Sequence, residues 1–372
     1  MQLVAYGAQD VYITGNPQIT FFKVVYRRHT NFSMECIEQT LNGTVAYGNR
    51  LTATISRNGD LVHKMHFEVD IAAGINSGNI SATNFGHGLF KEIEVQIGGQ
   101  RIDKQYSQWL QIWSELSQYD PRPSVSTRTQ YNKMTGNTGA SATVPADAVS
   151  DAKLFVPLQF WFNRNPGLAL PLIALQYHEV KLVVDLAAAA EVGIPTLSGV
   201  KLWVDYIYLD TDERRRFAQS SHEYLIEQLQ FTGVETLGAS SSIRLNFNHP
   251  VKELVWCVDD ANVNCAMKTL DGNAKLQLNG HDRMAEQDAT YFTRLQCHNH
   301  HSNIPLADTV AVYSFALKPE EHQPSGTCNF SRIDNATLKF SSVTATGNLR
   351  VFAVNYNVLR VMSGMGGLAY SN

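Results

Sequence analysis

The stretch LVHKMHFEVDI, Leu61 to Ile71, alternates apolar and polar side chains almost without interruption. Only Val62 and His63 break the pattern. An apolar residue at every second position is typical of a β-strand with one buried face. The same period of two recurs in Glu92 to Ile97 and in Ile243 to Asn248. These patterns predict a chain made mostly of half-buried antiparallel strands.

Two segments are predicted to be helical instead. Between Asp103 and Gln118 the large apolar residues recur every three or four positions, which predicts an amphipathic helix with Asp103 as its N-cap. The helix is expected to cover one end of a barrel. A second helix candidate, around Ala285 to Leu295, follows Asn279-Gly280 as the first follows Gly98-Gly99.

The length and composition of the chain favour two globular domains. A chain of 372 residues exceeds the roughly 250 to 300 at which a single core stops growing. Its formal charge of -4, with 17% charged residues, does not favour direct contact with nucleic acid. The densest basic run, Arg214 to Arg216, is interpreted as a solvated linker or helix end rather than a phosphate-binding patch.

The sequence also indicates the cellular compartment in which the protein is synthesised. Its first residues, MQLVAYGAQD, lack the charged and apolar regions of a secretory signal, so we expect synthesis in the cytosol. Apolar stretches such as Leu168 to Leu175 are short and contain Pro171, so no spanning helix is expected. The five cysteines are odd in number and irregularly spaced, which indicates reduced thiols rather than a disulfide framework.

The two halves of the chain contain similar short segments in the same order, which suggests a duplicated unit. The pairs are Val69-Asp70 with Val258-Asp259, Gln96 to Gly99 with Gln277 to Gly280, Phe160 to Pro166 with Tyr313 to Pro319, Val180 to Leu182 with Leu338 to Phe340, and Val204 to Tyr206 with Val354 to Tyr356. The spacing between partners shortens after the second pair. This places an insertion in the first half, at Gln118 to Lys153, and we expect a long surface loop there. Smaller loops are predicted at Ala72 to Gly88 and Ala187 to Gly199.

The strongest candidate for a chemical site is Cys297 to His301, CHNHH, because imidazoles and a thiolate can bind zinc or copper. A cupin-type metal site needs a Glu three or four residues after His-x-His, and Ile304 and Pro305 occupy that stretch. We therefore predict no metal and no cofactor.

The glycines of Gly364 to Gly367 have no following helix or Lys, so they predict a flexible tail rather than a phosphate loop. With no nucleophile elbow or paired carboxylates, no catalytic residue is predicted.

Five asparagines fit the N-x-Ser/Thr pattern. Asn79, in the glycine-rich loop Ala72 to Gly88, is the one expected to be well exposed, and it is the glycosylation candidate of this chain. Cytosolic synthesis would keep it from the secretory glycosylation machinery.

Four longer stretches carry a family resemblance. They are Gly7 to Phe32 (GAQDVYITGNPQITFFKVVYRRHTNF), Asn246 to Trp256 (NFNHPVKELVW), Tyr313 to Leu338 (YSFALKPEEHQPSGTCNFSRIDNATL) and Val351 to Asn372 (VFAVNYNVLRVMSGMGGLAYSN). In this order they resemble the major capsid proteins of the nucleocytoplasmic large DNA viruses. The resemblance implies an all-β protein of two tandem eight-stranded antiparallel jelly rolls with a few short helices. It also implies a homotrimer that forms a pseudo-hexagonal capsomer.

The expected organisation follows from this resemblance. Residues 1–30 are predicted to form an N-terminal arm along the barrel base, residues 31–211 the first jelly roll, and residues 212–372 the second. The resemblance implies a non-enzymatic structural protein of the icosahedral virion capsid, synthesised and assembled in the host cytoplasm. Its implied partners are neighbouring capsomers, minor capsid proteins and, through peripheral contact, an internal viral membrane.

Two alternatives share the fold. One is a minor or vertex capsid protein. The other is a jelly-roll protein that binds carbohydrate or carries out metal-dependent catalysis, because a fold alone does not define a function.

Overall fold

The computed structural model describes residues 7–18, 22, 24, 26, 29–71, 84–118, 130–136, 153–193, 197–260 and 263–370. Strands dominate these residues, and the helices are short. Within the described ranges, no helix is both long and apolar enough to cross a membrane.

The strands of the first half are β1 (Phe32–Gln39), β2 (Leu41–Asn42), β3 (Arg50–Thr54), β4 (Leu61–Ile71), β5 (Phe90–Ile97), β6 (Gln100–Tyr106), β7 (Lys153–Pro157), β8 (Leu170–Pro171), β9 (Val180–Leu186) and β10 (Leu197–Leu209). Those of the second half are β11 (His222–Leu237), β12 (Ser241–Arg244), β13 (Pro250–Asp259), β14 (Met267–Lys268), β15 (Asn273–Leu278), β16 (His281–Asp282), β17 (Gln287–Asp288), β18 (Val310–Ser314), β19 (Cys328–Asn329), β20 (Ala336–Ser341), β21 (Gly347–Met362) and β22 (Met365–Leu368).

The helices are α1 (Asp10–Thr14), α2 (Phe85–Leu89), α3 (Ser107–Ser117), α4 (Gln130–Thr135), α5 (Trp161–Arg164), α6 (Ala189–Val192), α7 (Thr211–Gln219) and α8 (Gln296–His300). A π-helical turn, Tyr291–Leu295, leads into α8, and 3₁₀ turns occupy Pro166–Leu168 and Phe330–Arg332.

The first half forms two facing antiparallel sheets. One has the order β1-β10-β4-β7, with β8 also paired to β4, and the other has the order β2-β3-β9-β5-β6. Apart from the two-residue strands β2 and β8, eight strands remain. The inward side chains of both sheets, among them Phe67, Phe90 and Leu202, form one apolar core. Each sheet buries one face because side chains alternate along its strands.

The second half repeats this arrangement. One sheet has β11-β21-β13 in sequence, with β14, β18 and β19 pairing with β13, and the other has the order β12-β20-β15-β16, with β17 also on β15. The strands β11, β21, β13 and β18 therefore correspond to β1, β10, β4 and β7. The prediction of two tandem eight-stranded jelly rolls is confirmed. A separate apolar core, around Trp256 and Phe292, fills the second jelly roll.

Four of the five segment pairs made from sequence fall on corresponding elements, whereas Phe160 to Pro166 contains α5 and its partner Tyr313 to Pro319 begins with the end of β18. Gly98 and Gly99 turn β5 into β6 with φ of 58° and 82°, and Asn279 and Gly280 turn β15 into β16 with φ of 51° and 78°. Both are two-residue hairpin turns that need positive φ at each position, which explains the choice of Gly and Asn. The pairs on β4 and β13, on β9 and β20, and on β10 and β21 also lie on matching strands.

Both predicted helices start later than the sequence indicated. The first begins at Ser107, with Tyr106 as its N-cap. Asp103 lies inside β6, because the glycine turn returns the chain along β5 before the helix can begin. In the second half the short strands β16 and β17 pair with β15, so that helical structure begins only at Ala289.

The predicted loops also contain short elements. Within Gln118 to Lys153 the described residues include α4, and residues 119–129 and 137–152 lie outside the description. Helix α2 forms the buried end of Ala72 to Gly88, and residues 72–83 lie outside the described ranges. The predicted loop Ala187 to Gly199 contains α6 and the start of β10.

The prediction of a flexible C-terminal tail is wrong. Strand β22 folds back on β21 through a turn at Ser363 and Gly364, whose φ values are 52° and 79°. The resulting hairpin packs against the first jelly roll, where Gly366 lies close to Leu175 and Ile97. These glycines allow the hairpin to pack closely against the first jelly roll. A search for phosphate-loop patterns does not detect this role.

Candidate assembly site at the joint between the jelly rolls

The two jelly rolls meet through an apolar joint. Four side chains of α3, namely Trp109, Ile112, Trp113 and Leu116, pack on the outer face of the sheet that contains β13, β18 and β21. The face they cover consists of Val255, Cys257, Val310, Val312, Phe352 and Val354. These residues alternate with those that point into the core of the second jelly roll. The sheet is therefore buried on both faces, and its strands have nearly continuous apolar sequences.

A buried ion cluster crosses this joint. Glu227 on β11 accepts hydrogen bonds from Arg164 of α5 at 2.5 Å and from Lys252 of β13 at 2.6 Å. The Lys252 side chain is only 1% exposed. Burial by itself would raise the pKa of Glu227, but Arg164, His322 and Lys252 outweigh burial and lower the pKa to about 2. Glu227 is thus held as a carboxylate between cations of both jelly rolls.

Further polar contacts hold the two jelly rolls in one relative position at the joint. Asp103 Oδ1 accepts a 3.0 Å hydrogen bond from the backbone N–H of Leu229, in the second jelly roll. Burial nevertheless raises the pKa of Asp103 to about 7. Gln108 of α3 donates to Asp259 at 2.9 Å, and Arg350 donates to the same carboxylate at 2.8 Å.

The C-terminal hairpin forms a third contact between the halves. The backbone N–H of Tyr177 donates to the carbonyl of Gly364 at 2.9 Å. The ring of His178 lies 3.0 Å from the carbonyl oxygen of Gly366, and the N–H of Gly366 donates to His178 Nδ1 at 3.1 Å. Because helix α3, the ion cluster and the hairpin all join the two jelly rolls, we infer that they move as one unit.

A second buried polar cluster lies beside the joint, at the end of α8. His301 Nε2 is 2.9 Å from Glu253, and His301 Nδ1 is 3.0 Å from Glu320. Burial disfavours the charged imidazole, but Glu253 and Glu320 outweigh burial and raise the pKa of His301 to about 9. The imidazolium therefore pairs with two carboxylates, one of which, Glu253, is fully buried.

This cluster contains one residue of the Cys297 to His301 segment, and the structure does not bring the other candidate ligands of that segment to it. The Cys297 side chain points into the joint, and burial raises the pKa of its thiol to about 12. His298 is exposed and His300 contacts the carbonyl of Leu317. Among the described residues, no group of three or more His, Cys, Asp or Glu side chains is arranged so that it could hold a metal ion.

The basic run, the cysteines and the glycosylation candidate were also singled out from the sequence. Arg214 lies on α7, between the jelly rolls, and forms an ion pair with Asp60 at 3.0 Å. All five cysteines are free thiols. Asn79 lies outside the described residues, so its glycosylation stays a prediction.

Sequence reasoning missed the ion cluster. The signal was present in PVKELVWCVD, where Lys252 and Glu253 interrupt an otherwise apolar strand that is buried along most of its length. A charged pair in such a strand indicates that buried partners come from elsewhere in the fold. The sequence does not indicate which partners those are.

Large apolar side chains are also exposed in two other parts of the chain. The arm exposes Val11, Tyr12 and Ile13 on α1, and Phe22 beyond it. The second jelly roll exposes Leu295, Leu306 and Leu317 around α8. Large apolar side chains that form a contiguous exposed patch mark surfaces that contact other molecules.

Comparisons with known proteins agree with this geometry. Residues 20–210 match the family described as major capsid protein N-terminus, and residues 213–367 match the family described as large eukaryotic DNA virus major capsid protein. The chain is 56% identical to the major capsid protein of Pyramimonas orientalis virus, over 100% of this chain and 99% of that one. It is 46% identical to the major capsid protein of Paramecium bursaria Chlorella virus 1, with the same coverage.

Solved structures give the same result. The PBCV-1 virus capsid model contains a chain that superimposes with a TM-score of 0.81 at 40% identity, over 95% of this chain and 100% of that one. The Faustovirus major capsid protein superimposes with a TM-score of 0.71 at 14% identity, over 96% of this chain and 94% of that one, and supports the fold alone.

Proposed function

The chain belongs to the family of large eukaryotic DNA virus major capsid proteins, and from this premise we propose that three copies associate into one capsomer of pseudo-hexagonal outline. The chain is a structural protein of the virion capsid, not an enzyme, and it associates with itself and with neighbouring capsomers. Each chain has two jelly rolls, so a closed ring of three chains places six jelly rolls in similar positions.

The observation that carries the proposal is the double burial of the sheet containing β13, β18 and β21. One face of this sheet packs into the core of its own jelly roll, and α3 covers the other. The two jelly rolls are thereby held at one fixed angle, and a fixed angle is what a closed ring of six similar units requires. Two jelly rolls joined by a loose linker would allow many arrangements.

We propose the division of the chain into an arm at residues 1–30, a first jelly roll at residues 31–211 and a second at residues 212–372. Its support is that the sheets of the first half lie within residues 32–209 and those of the second within residues 222–368. Helix α7 spans most of the segment between them.

The arm is proposed to lie at the capsid interior, where it contacts minor capsid proteins and, peripherally, an internal membrane. The aromatic and aliphatic residues of α1 support this role, because Tyr12 is 91% exposed and Ile13 is 81% exposed in the single chain. Such residues are rarely left in water in a finished assembly. Assembly is proposed to take place in the host cytoplasm, which suits a protein with five free thiols.

Native mass spectrometry of the purified chain tests the trimer. The expected species has a mass near three times 41.4 kDa. Measurements over a range of protein concentrations would show whether the trimer persists on dilution, as an obligate interface on the order of 2,000 Å² or more predicts. A chain that stays monomeric at every concentration would contradict the proposal.

A further inference from the structure

A cleft of about 360 Å³ lies between the two jelly rolls, beside helix α7. Its volume is within the range of about 300 to 1,000 Å³ that small-molecule sites occupy in proteins. Both jelly rolls and the helix that links them supply its walls. The lining residues are Leu61, Pro166, Gly167 and Ala169 of the first jelly roll, Glu213, Arg216 and Phe217 of α7, and His222 and Tyr224 of the second jelly roll. We call this cavity the α7 cleft.

A row of aromatic rings lines part of the α7 cleft. The ring centroids of Phe217 and His222 are 5.2 Å apart, and those of His222 and Tyr224 are 6.1 Å apart, with interplanar angles of 26° and 27°. His222 Nε2 donates to the carbonyl of Phe217 at 2.8 Å, which holds the imidazole in place. The lining residues of the first jelly roll carry no charge. Walls of this kind favour a ligand with an apolar body.

Two opposite charges line the same cleft. Glu213 and Arg216 are three positions apart on α7, which places their Cβ atoms about 5 to 6 Å apart. No ion pair or hydrogen bond joins either side chain to another described residue. Arg214, in contrast, is paired with Asp60 at 3.0 Å, and Arg215 does not line the cleft. The α7 cleft therefore offers one anion and one cation to a ligand.

This combination of groups restricts the charge of the ligand. A simple anion would be repelled by the Glu213 carboxylate, and a simple cation would be repelled by the Arg216 guanidinium. A ligand with both charges can pair with both side chains. Aromatic rings attract quaternary ammonium groups, because the face of each ring is negative, and the planar guanidinium of arginine suits phosphate oxygens.

We propose that the α7 cleft binds a phosphocholine group. The trimethylammonium group lies against the aromatic rings, close to Glu213, and the phosphate pairs with Arg216. The ethylene link between the two charged groups of phosphocholine suits two side chains that are one helical turn apart. Free phosphocholine and the headgroup of phosphatidylcholine share this chemistry.

The position of the α7 cleft favours a lipid headgroup as the source. Phe32, the first residue of β1 after the arm, pairs with Leu209 at the end of β10, and α7 begins at Thr211. The cleft therefore lies at the end of the first jelly roll from which the arm leaves. Because the arm is proposed to face an internal membrane, the lipid source rests on the proposed function, whereas the site itself does not.

Isothermal titration calorimetry of the full chain with phosphocholine, choline and inorganic phosphate tests the ligand chemistry. Phosphocholine is expected to bind at least about 10-fold more tightly than choline or inorganic phosphate, because each of these lacks one charged contact. In saturation-transfer NMR, the methyl protons of the trimethylammonium group should receive saturation from the protein. Inorganic phosphate that binds as tightly as phosphocholine, or no binding of phosphocholine at millimolar concentration, would overturn the proposal.

Matched substitutions on α7 separate the two charges. Arg216→Gln is expected to weaken phosphocholine binding about 10-fold without weakening choline binding, and Arg215→Gln is its control because Arg215 does not line the cleft. Glu213→Gln is expected to weaken the binding of both phosphocholine and choline, with Asp212→Asn as its control. All four side chains are exposed or half-buried, so the fold should be unaffected, and melting temperatures check this. Equal effects of Arg215→Gln and Arg216→Gln would contradict binding in the cleft.

Vesicle flotation distinguishes the two sources of phosphocholine. Flotation with phosphatidylcholine vesicles that is reduced both by free phosphocholine and by Arg216→Gln supports the headgroup. Phosphatidylglycerol vesicles, which lack the ammonium group, are the control and should float less protein. Binding of free phosphocholine without flotation supports the site and assigns a soluble ligand to it. Flotation that free phosphocholine does not reduce would overturn the assignment of the headgroup to this cleft.

These outcomes are distinct from those that test the trimer. A chain that is monomeric by native mass spectrometry and binds phosphocholine keeps the site and contradicts the proposed trimer. A trimer that binds no phosphocholine contradicts the site and leaves the proposed function intact.

Discussion

Arg164 of the first jelly roll and Glu227 of the second lie 2.5 Å apart, Nη2 to Oε2, inside the joint. The Glu227 side chain is 5% exposed, and Lys252 contacts its other oxygen. A single carboxylate therefore pairs with two cations that come from different jelly rolls. Its removal leaves both cations unbalanced in a poorly hydrated environment.

Glu227→Gln is expected to lower the free energy of unfolding by about 3 to 5 kcal/mol, because breaking a buried ion pair leaves uncompensated charge. Chemical denaturation followed by tryptophan fluorescence measures the loss. Glu223→Gln is the matched control on the same strand. Its ion pair with Arg360 is exposed at both ends, so the change should cost less than about 1 kcal/mol. Equal effects of the two substitutions would contradict the role of the buried cluster.

The same carboxylate predicts sensitivity to acid. The pKa of Glu227 is lowered to about 2 in the folded protein from its ordinary value of 4.5. A lowered pKa stabilises the fold fully above pH 4.5, and this contribution is lost as the pH falls from 4.5 towards 2. Thermal melts between pH 6 and pH 2 should show a smaller acid dependence in Glu227→Gln than in the unchanged chain. An identical pH profile would show that the carboxylate does not titrate as described.

His301 predicts the opposite behaviour, at alkaline pH. Its pKa is raised to about 9 from 6.5, so its stabilising charge is complete below pH 6.5 and is lost as the pH rises through 9. His301→Gln should cost about 3 to 5 kcal/mol at pH 7, because the buried Glu253 loses its cation. The variant should also lose less stability than the unchanged chain between pH 7 and pH 10.

The control for His301 is on the same helix. His298→Gln changes an exposed imidazole and should leave the melting temperature within about 1 °C, in line with the small effect of most surface substitutions. A loss of stability as large as that of His301→Gln would mean that the helix, rather than the buried cluster, is responsible.

Gly366→Val is expected to destabilise the contact between the C-terminal hairpin and the first jelly roll. A Cβ atom at Gly366 would lie 2.6 Å from Leu175 Cδ2, so the hairpin must shift, at a cost of about 1 to 3 kcal/mol. At Gly199 a Cβ would meet only Asp70, at 3.8 Å, and Gly199→Ala should be tolerated. Hydrogen exchange of β22 is the most direct measurement, and unchanged protection in Gly366→Val would argue against a packed hairpin.

Deletion of residues 1–20 is expected to leave soluble trimers and to impair shell assembly. The described part of this segment has exposed side chains, and α1 has no buried residue, so the jelly rolls do not need it to fold. Native mass spectrometry would report the trimer, and electron microscopy of particles made in infected or co-expressing cells would report the shell. Particles formed in normal numbers would count against a role of the arm in assembly.

Local sequence patterns predicted much of the fold. The alternation from Leu61 to Ile71 predicted β4, and the matching turns at Gly98-Gly99 and Asn279-Gly280 predicted a duplicated hairpin, because both depend on neighbours along the chain. The predicted start of α3 at Asp103 was wrong. The local sequence is compatible with Asp103 either as an N-cap or as a strand residue, and only the pairing of β6 with β5 shows that it lies in a strand. The C-terminal glycines were misread, because their partners, Leu175 and Ile97, are far away in sequence.

By itself, the sequence determined that the chain is a β-protein of two similar halves and that it resembles viral capsid proteins, because side-chain period, turn residues and long motifs are properties of contiguous segments. Only the tertiary structure decided how the halves are joined. Arg164, Glu227 and Lys252 are distant in sequence, and their charges tolerate burial only because the packing of α3 brings the two jelly rolls together. Contacts of this kind depend on distance in space, which the order of residues does not encode locally.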